Sequence, residues 1–203
     1  MPSLSETDEE LLIRSQSGDE EAFVALYRRR QAALYRFALH MSGSMPVAED
    51  VTQEVFLALL REPCRFDAER GSVAGYLFGI ARKLILRQME RGRLDMALES
   101  VFSEFNLPEL AVHHDPLAEL THREGMAALR RAVQALPPRY REVVVLCDLE
   151  ELDYAVAAAA LGCPIGTVRS RLHRARGLLL DKLNQERDPR HPAESLKPVR
   201  CVT

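Results

Sequence analysis

Between Leu152 and Leu183, hydroxyl, imidazole and guanidinium side chains recur on one arc of a helical pattern. Gly166, Thr167, Ser170, His173 and Arg174 form that arc, flanked by Arg169, Arg171 and Arg176, with no carboxylate among them. The facing arc of Ile165, Val168, Leu172, Ala175 and Leu179 is apolar at three-four spacing and reads as a buried stripe. Hydroxyls, imidazole and Arg reach base edges while flanking Arg residues neutralise phosphates, so the pattern points to a groove-reading helix. A solvated cationic surface is the blander alternative, but it leaves the residues just upstream unexplained. Asp153 is placed to cap a helix from Tyr154 to Leu161, Gly162 suits its end, and Pro164 opens the next helix. Two helices joined by a short Gly-containing turn make a helix-turn-helix.

A second cluster lies on the helix expected from Val47 to Leu60. Val51, Val55 and Leu59 are its core stripe, while Asp50, Gln53, Leu57 and Leu60 form a face that mixes polar groups with leucines. Such a face fits a protein partner or a second buried side of a small bundle, and spacing alone leaves both open. The third cluster follows Tyr76. Leu77, Ala81 and Leu84 are expected to point inward and Arg82 and Lys83 largely away from them. Basic groups beside Tyr76 and Phe78 fit binding of unpaired DNA, where bases stack on rings and phosphates meet cations. Core packing of either ring is the competing reading.

The elements that must position these clusters are helices. Strand signals are scarce and most of the 203 residues are rich in Ala, Leu, Arg and Glu, which predicts an all-α chain of two small helical domains. One block runs from about Asp8 to Gly92, with a break and N-cap at Gly18-Asp19 and a turn at Ser42 to Pro46. A segment with Pro108, Pro116, His113-His114 and scattered carboxylates reads as a flexible linker. The second block opens with Leu129, Ala132, Val133 and Leu136 on one face before Pro137-Pro138 stop the helix. The net charge of −3 conceals segregation: Arg82, Lys83, Arg87, Arg91 and Arg93 cluster against Glu90 alone, while the first 21 residues are acidic.

Other chemistries find little support. Cys64, Cys147, Cys163 and Cys201 are scattered without metal-ligand spacing, so no metal or cofactor is expected and free thiols are. There is no phosphate-cradling Gly-rich loop and no nucleophile beside a base, so an enzyme with a small-molecule substrate is not expected. No apolar run approaches the ~18 residues that span a bilayer, and the acidic start does not resemble a signal peptide, so a cytoplasmic protein without membrane insertion is expected.

The ordered fragments resemble the sigma factors of bacterial RNA polymerase, in particular the extracytoplasmic-function class of the sigma-70 family. The residues that carry the resemblance are Gly18-Asp19-Glu20-Glu21-Ala22-Phe23, Ala48-Glu49-Asp50-Val51 with Gln53-Glu54-Val55-Phe56, Phe66-Asp67 and Ile80-Ala81-Arg82. In the second block they are Leu136-Pro137, Arg141-Glu142-Val143, Gly162 through Leu172 and Arg174-Ala175-Arg176. Each fragment is moderately specific, and their order and spacing together are very specific.

The resemblance implies a region 2 domain at 8–93, an acidic linker at 94–121 and a region 4 helix-turn-helix domain at 122–186, between disordered ends at 1–7 and 187–203. It implies docking on core RNA polymerase through Asp50, Gln53, Glu54 and Leu57. Recognition and melting of the minus-ten promoter element would fall to Tyr76, Arg82, Lys83 and Arg87. Thr167, Arg169, Ser170, Arg171, His173 and Arg174 would read the minus-thirty-five element. Promoter DNA, core polymerase and an anti-sigma factor are the implied partners. Three features depart from the family pattern: Tyr76 stands where Trp is usual, Lys83 where Asn is frequent, and Ala155 to Ala160 where the supporting helix is usually more acidic. The rival function is a helix-turn-helix regulator that works without being a polymerase subunit.

Overall fold

The computed structural model describes residues 6–61, 66–67, 71–95 and 116–187. The described residues form eight α-helices and a π-helical turn, with no strand among them. Helices α1 (Asp8–Gln16), α2 (Glu20–Ser42), α3 (Met45–Arg61) and α4 (Val73–Asp95) make the first module. Helices α5 (Pro116–Gln134), α6 (Pro138–Val144), α7 (Tyr154–Leu161) and α8 (Ile165–Arg187) make the second, with the π turn at Val145–Leu149 between α6 and α7. The segment expected as linker is helical at both ends, since α4 runs to Asp95 and α5 begins at Pro116. Residues 96–115, the tail from 188 onward, and Cys64 and Cys201 lie outside the described residues.

Local signals start the helices. Asp19 accepts from the Ala22 backbone N–H at 3.1 Å, the N-cap expected for α2. Thr7 caps α1 through a reciprocal box with Glu10, so Glu6 and Thr7 belong to the folded module rather than to the N-terminal tail. Gly43, at φ +73°, closes α2 in the left-handed region that glycine enters without a Cβ clash.

The first core is built on α2. Leu26, Leu34, Phe37 and Met41 meet Val51, Val55 and Leu59 of α3 and Leu77, Phe78 and Ile85 of α4. Phe37 and Phe78 pack edge to face with centroids 5.4 Å apart, which settles Phe78 as a core ring. Each such buried side chain contributes about 1.5–3 kcal/mol. Helix α1 is fastened by charge: Asp8 is buried between Arg29, at 2.9 Å, and Arg30, and Glu9 accepts from the Val73 N–H at 3.0 Å, capping α4.

In the second module, Val133 and Leu136 pack with Val143 to Leu146, Ala157, Leu161, Val168, Leu172 and Ala175. Arg141 stitches this module inwardly by donating to the carbonyls of Gln134 and, at 3.1 Å, Leu136. It also donates to the Met41 carbonyl of α2 at 2.8 Å. The apolar cores of the two modules form one continuous cluster, joined chiefly where α4 packs on α7 and also where α2 meets α5 and α6, an arrangement that spacing does not announce.

Near that junction, burial and the positive field of Arg130, Arg36 and Arg141 push the His40 imidazole down to about 4. An unfolded His takes its proton near 6.5, so between those values the unfolded chain binds more protons and stability falls with falling pH. The stability is full above pH ~6.5 and the loss reaches about 3 kcal/mol near pH 4. Urea melts of the protein and of His40→Gln across this window are expected to diverge, with the variant's midpoint less sensitive to pH.

Candidate nucleic-acid interface

The helix-turn-helix is α7, the turn at Gly162–Pro164, and α8. Gly162 takes φ +63° and its N–H donates to the Ala159 carbonyl at 3.3 Å, while Cys163 N–H donates to the Ala158 carbonyl at 3.1 Å. This left-handed closure turns the chain so that Pro164 supplies the first acceptor of α8, for the N–H groups of Thr167 and Val168. Asp153 occupies the N-cap position of α7, but its side chain makes no capping hydrogen bond, contrary to expectation.

Helix α8 divides as its periodicity predicts. Val168, Leu172 and Ala175 are buried, Leu179 is half-buried, and Arg169, Ser170, His173 and Arg174 are exposed along one side, with Thr167 and Arg171 at its edges, half-buried. Ile165 departs from the expected stripe: it is 41% exposed because the first turn of α8 projects beyond the core. Ser170 Oγ donates to the Thr167 carbonyl at 3.1 Å, and the Arg169 guanidinium lies 5.8 Å from the Tyr154 ring centroid. Arg176, expected to flank this face, is instead held by Asp148 through two hydrogen bonds of 2.6 and 3.0 Å, which raises its pKa.

On α3, Asp50, Gln53, Glu54 and Leu57 are all exposed, and their i, i+3, i+4, i+7 spacing puts them on one side. Leu57 and Leu60 are 38% and 55% exposed, while Val51, Val55 and Leu59 on the other side are buried. The face is therefore not a second buried side. Glu54 lies 3.6 Å from Arg61 in an exposed pair that contributes little to stability.

On α4, Tyr76 is half-buried with its ring centroid 5.6 Å from that of Phe66 in a tilted contact, a neighbour with no local sequence signal. Lys83 and Arg87 are exposed, four residues apart on one side of the helix. Arg82 corrects the expectation that it points away: its Nε donates to Glu142 of α6 at 3.0 Å, and the Glu142 side chain is 3% exposed. The second module supplies a carboxylate that the sequence of α4 could not reveal. Tyr76, Arg82 and Lys83 line one wall of a cleft of ≈ 630 Å³ whose other wall includes Ala160 and Gly162.

Among the described residues, no three His, Cys, Asp or Glu side chains gather as a metal site, and no helix is long and apolar enough to cross a membrane. Cys147 is half-buried, and burial beside Asp148 pushes its thiol up to about 11, so it is a poor nucleophile.

Family models match in two places: "Sigma-70 region 2" over residues 26–94 and "Sigma-70, region 4" over residues 126–179. The ECF RNA polymerase sigma factor SigE of Mycolicibacterium smegmatis is 36% identical over 176 residues, which is 82% of this chain and 65% of that one, just under two thirds of its length. The ECF RNA polymerase sigma-E factor of Escherichia coli is 31% identical over 190 residues, covering 87% of this chain and 94% of that one. Among solved structures, the sigma factor RpoE in complex with the anti-sigma factor NepR from Bartonella quintana superposes with a TM-score of 0.59 at 30% identity, covering 76% of this chain and 91% of that one.

Two glycines test the local geometry of the helix-turn-helix in opposite directions. Gly162 sits at positive φ, so Gly162→Ala is expected to destabilise by about 1–2 kcal/mol. Gly177 lies inside α8 with open space around it, so Gly177→Ala is expected to stabilise by about 1 kcal/mol. Urea denaturation of the two variants reads both signs.

Proposed function

The chain belongs to the sigma-70 family, in its extracytoplasmic-function class, and on that premise we propose that it binds core RNA polymerase and directs it to specific promoters, which it helps to open. The observation that carries this reading is the coexistence, on one chain, of a carboxylate-free reading face on α8 and an exposed Leu57–Leu60 ridge bordered by Asp50, Gln53 and Glu54 on α3. A helix-turn-helix regulator acting alone needs the first and has no use for the second. Exposed leucines among hydrogen-bonding groups favour a protein partner, because apolar surface left in water is unfavourable.

The roles divide by helix. The α3 face docks on polymerase. Helix α4 engages the minus-ten element, with Tyr76 and Phe66 offering ring faces and Lys83, Arg87 and a released Arg82 meeting phosphates. On α8, Arg169, Ser170, His173 and Arg174 read the minus-thirty-five element from the major groove, with Thr167 and Arg171 at its margin. Acting as this subunit, the protein works in the cytoplasm by binding alone and catalyses no reaction itself. An anti-sigma factor is the proposed regulatory partner, by analogy with the RpoE–NepR complex.

In vitro transcription with purified core polymerase on a randomised promoter library tests the proposal, and no enrichment over core alone rejects it. Leu57→Asp is expected to weaken polymerase binding by at least about tenfold, some 1.4 kcal/mol, without altering the thermal melt. Arg174→Ala is expected to reduce discrimination at one minus-thirty-five position by about 1–3 kcal/mol, read from competition with base-substituted duplexes. Equal loss on all sequences would instead mark Arg174 as a phosphate contact.

A further inference from the structure

Tyr154 opens α7 and is left 38% exposed, although its helical neighbours Ala157, Ala158 and Leu161 are buried. It therefore stands at the rim of the helix-turn-helix, where two guanidiniums of α8 meet it. The Arg169 guanidinium lies over the ring, 5.8 Å from its centroid. Arg176 lies at the other end of the side chain: Asp148 grips it at 2.6 and 3.0 Å, and the Tyr154 hydroxyl adds a weaker attraction to its charge. Arg169 and Arg176 are seven residues apart, which is two turns and about 10 Å along one side of α8. The phenol spans that interval: its ring carries one arginine, and its oxygen faces the next, which Asp148 pins.

The two arginines are held by different chemistry. A carboxylate occupies the N–H donors it binds, so Arg176 is withdrawn from reading. A ring face attracts a guanidinium through its quadrupole and leaves the N–H edge directed outward. Arg169 is exposed and has no carboxylate partner among the described residues, so its donors stay open to a ligand. An unrestrained arginine loses much rotamer freedom when it meets a base, and that loss weakens the preference for the correct one. Arg174, at the opposite edge of the exposed arc, has neither ring nor carboxylate beside it among the described residues.

We propose that Tyr154 is a positioning residue for minus-thirty-five recognition: braced against Arg176, its ring holds the Arg169 guanidinium in the orientation in which it meets a base edge. The proposal rests on the assignment of α8 to the minus-thirty-five element made above. It adds a residue on the first helix of the motif that acts through Arg169 and need touch no base itself. The arginines of α8 are thereby graded: Arg169 is preset, Arg176 is withdrawn, and Arg174 becomes ordered only on the DNA.

Competition binding by the holoenzyme formed with core polymerase, on promoters with base-substituted minus-thirty-five elements, tests it. Arg169→Ala first identifies the base pair that this arginine reads. At that pair Tyr154→Leu, which keeps apolar bulk without the aromatic quadrupole, is expected to lower discrimination about two- to fivefold. Tyr154→Phe keeps the ring, loses only the brace, and is expected to fall between Tyr154→Leu and the parent. In the Arg169→Ala background Tyr154→Leu should change nothing further at that pair, a non-additivity that a merely structural residue does not give. Discrimination at the pair lost in Arg174→Ala should stay that of the parent. So should the slope of log K against log salt, because no charge is removed. Additive effects, equal loss on every sequence, a reduced salt slope, or unchanged discrimination in Tyr154→Leu each overturns the inference while leaving α8 as the reader. A parent holoenzyme with no base preference in the minus-thirty-five element overturns the assignment of α8 and the inference together.

Discussion

Glu142 holds a carboxylate inside the protein, and the guanidinium that answers it belongs to the other module. An uncompensated buried carboxylate is strongly unfavourable, so its position ties α6 to α4 through the reach of the Arg82 side chain. Its chain neighbour Arg141 turns the other way and donates to three carbonyls, one of them on α2. Two consecutive residues in the middle of α6 therefore do what a hydrophobic contact alone cannot: they fix the orientation in which two helical bundles meet. Burial lowers the Arg141 pKa from its ordinary value, yet an arginine remains charged, and the carbonyl dipoles around it take the place of water.

Electrostatics and packing divide the work at this boundary. Apolar burial is non-directional and would tolerate many rotations of one module against the other. Close backbone approach at Gly75 removes most of them, and the Arg82–Glu142 and Arg36–Glu150 pairs select among the rest. Removing one partner of such a pair costs more than removing both, because the survivor stays desolvated. The same asymmetry explains the opposite treatment of the α8 face. Its guanidiniums gain nothing from burial in the absence of nucleic acid and stay in water, where Arg169 rests beside the Tyr154 ring.

What the sequence discloses follows the range of the interactions. The α8 stripe from Val168 to Leu179, the Asp19 cap, the Gly162 closure and the core stripe of α3 all depend on residues within a few positions of one another and appear as read, although Ile165, expected in the α8 stripe, is exposed. The direction of Arg82 depends on Glu142, sixty residues away in the chain. The loss of Arg176 from the reading face depends on Asp148, twenty-eight residues back. Neither pairing leaves a periodic trace, so spacing assigns both arginines to solvent. The alanine run of α7 is a subtler case. As a local feature it is helix-favouring and lacks acid; only opposite Gly75 and Gly79 does its small size acquire a purpose. Asp153 shows the converse limit, a residue of the right type at the right place whose side chain makes no cap.

On the proposed reading, the cations of α4 then have two distinct jobs although they share one helix. Lys83 and Arg87 stand in solvent, where their field reaches about a Debye length, ~8–10 Å, and attracts a phosphate backbone before contact. Arg82 is spent on Glu142 while the modules are together. To meet a phosphate Arg82 must leave Glu142, so one charge-assisted contact is exchanged for another and the guanidinium is not stranded.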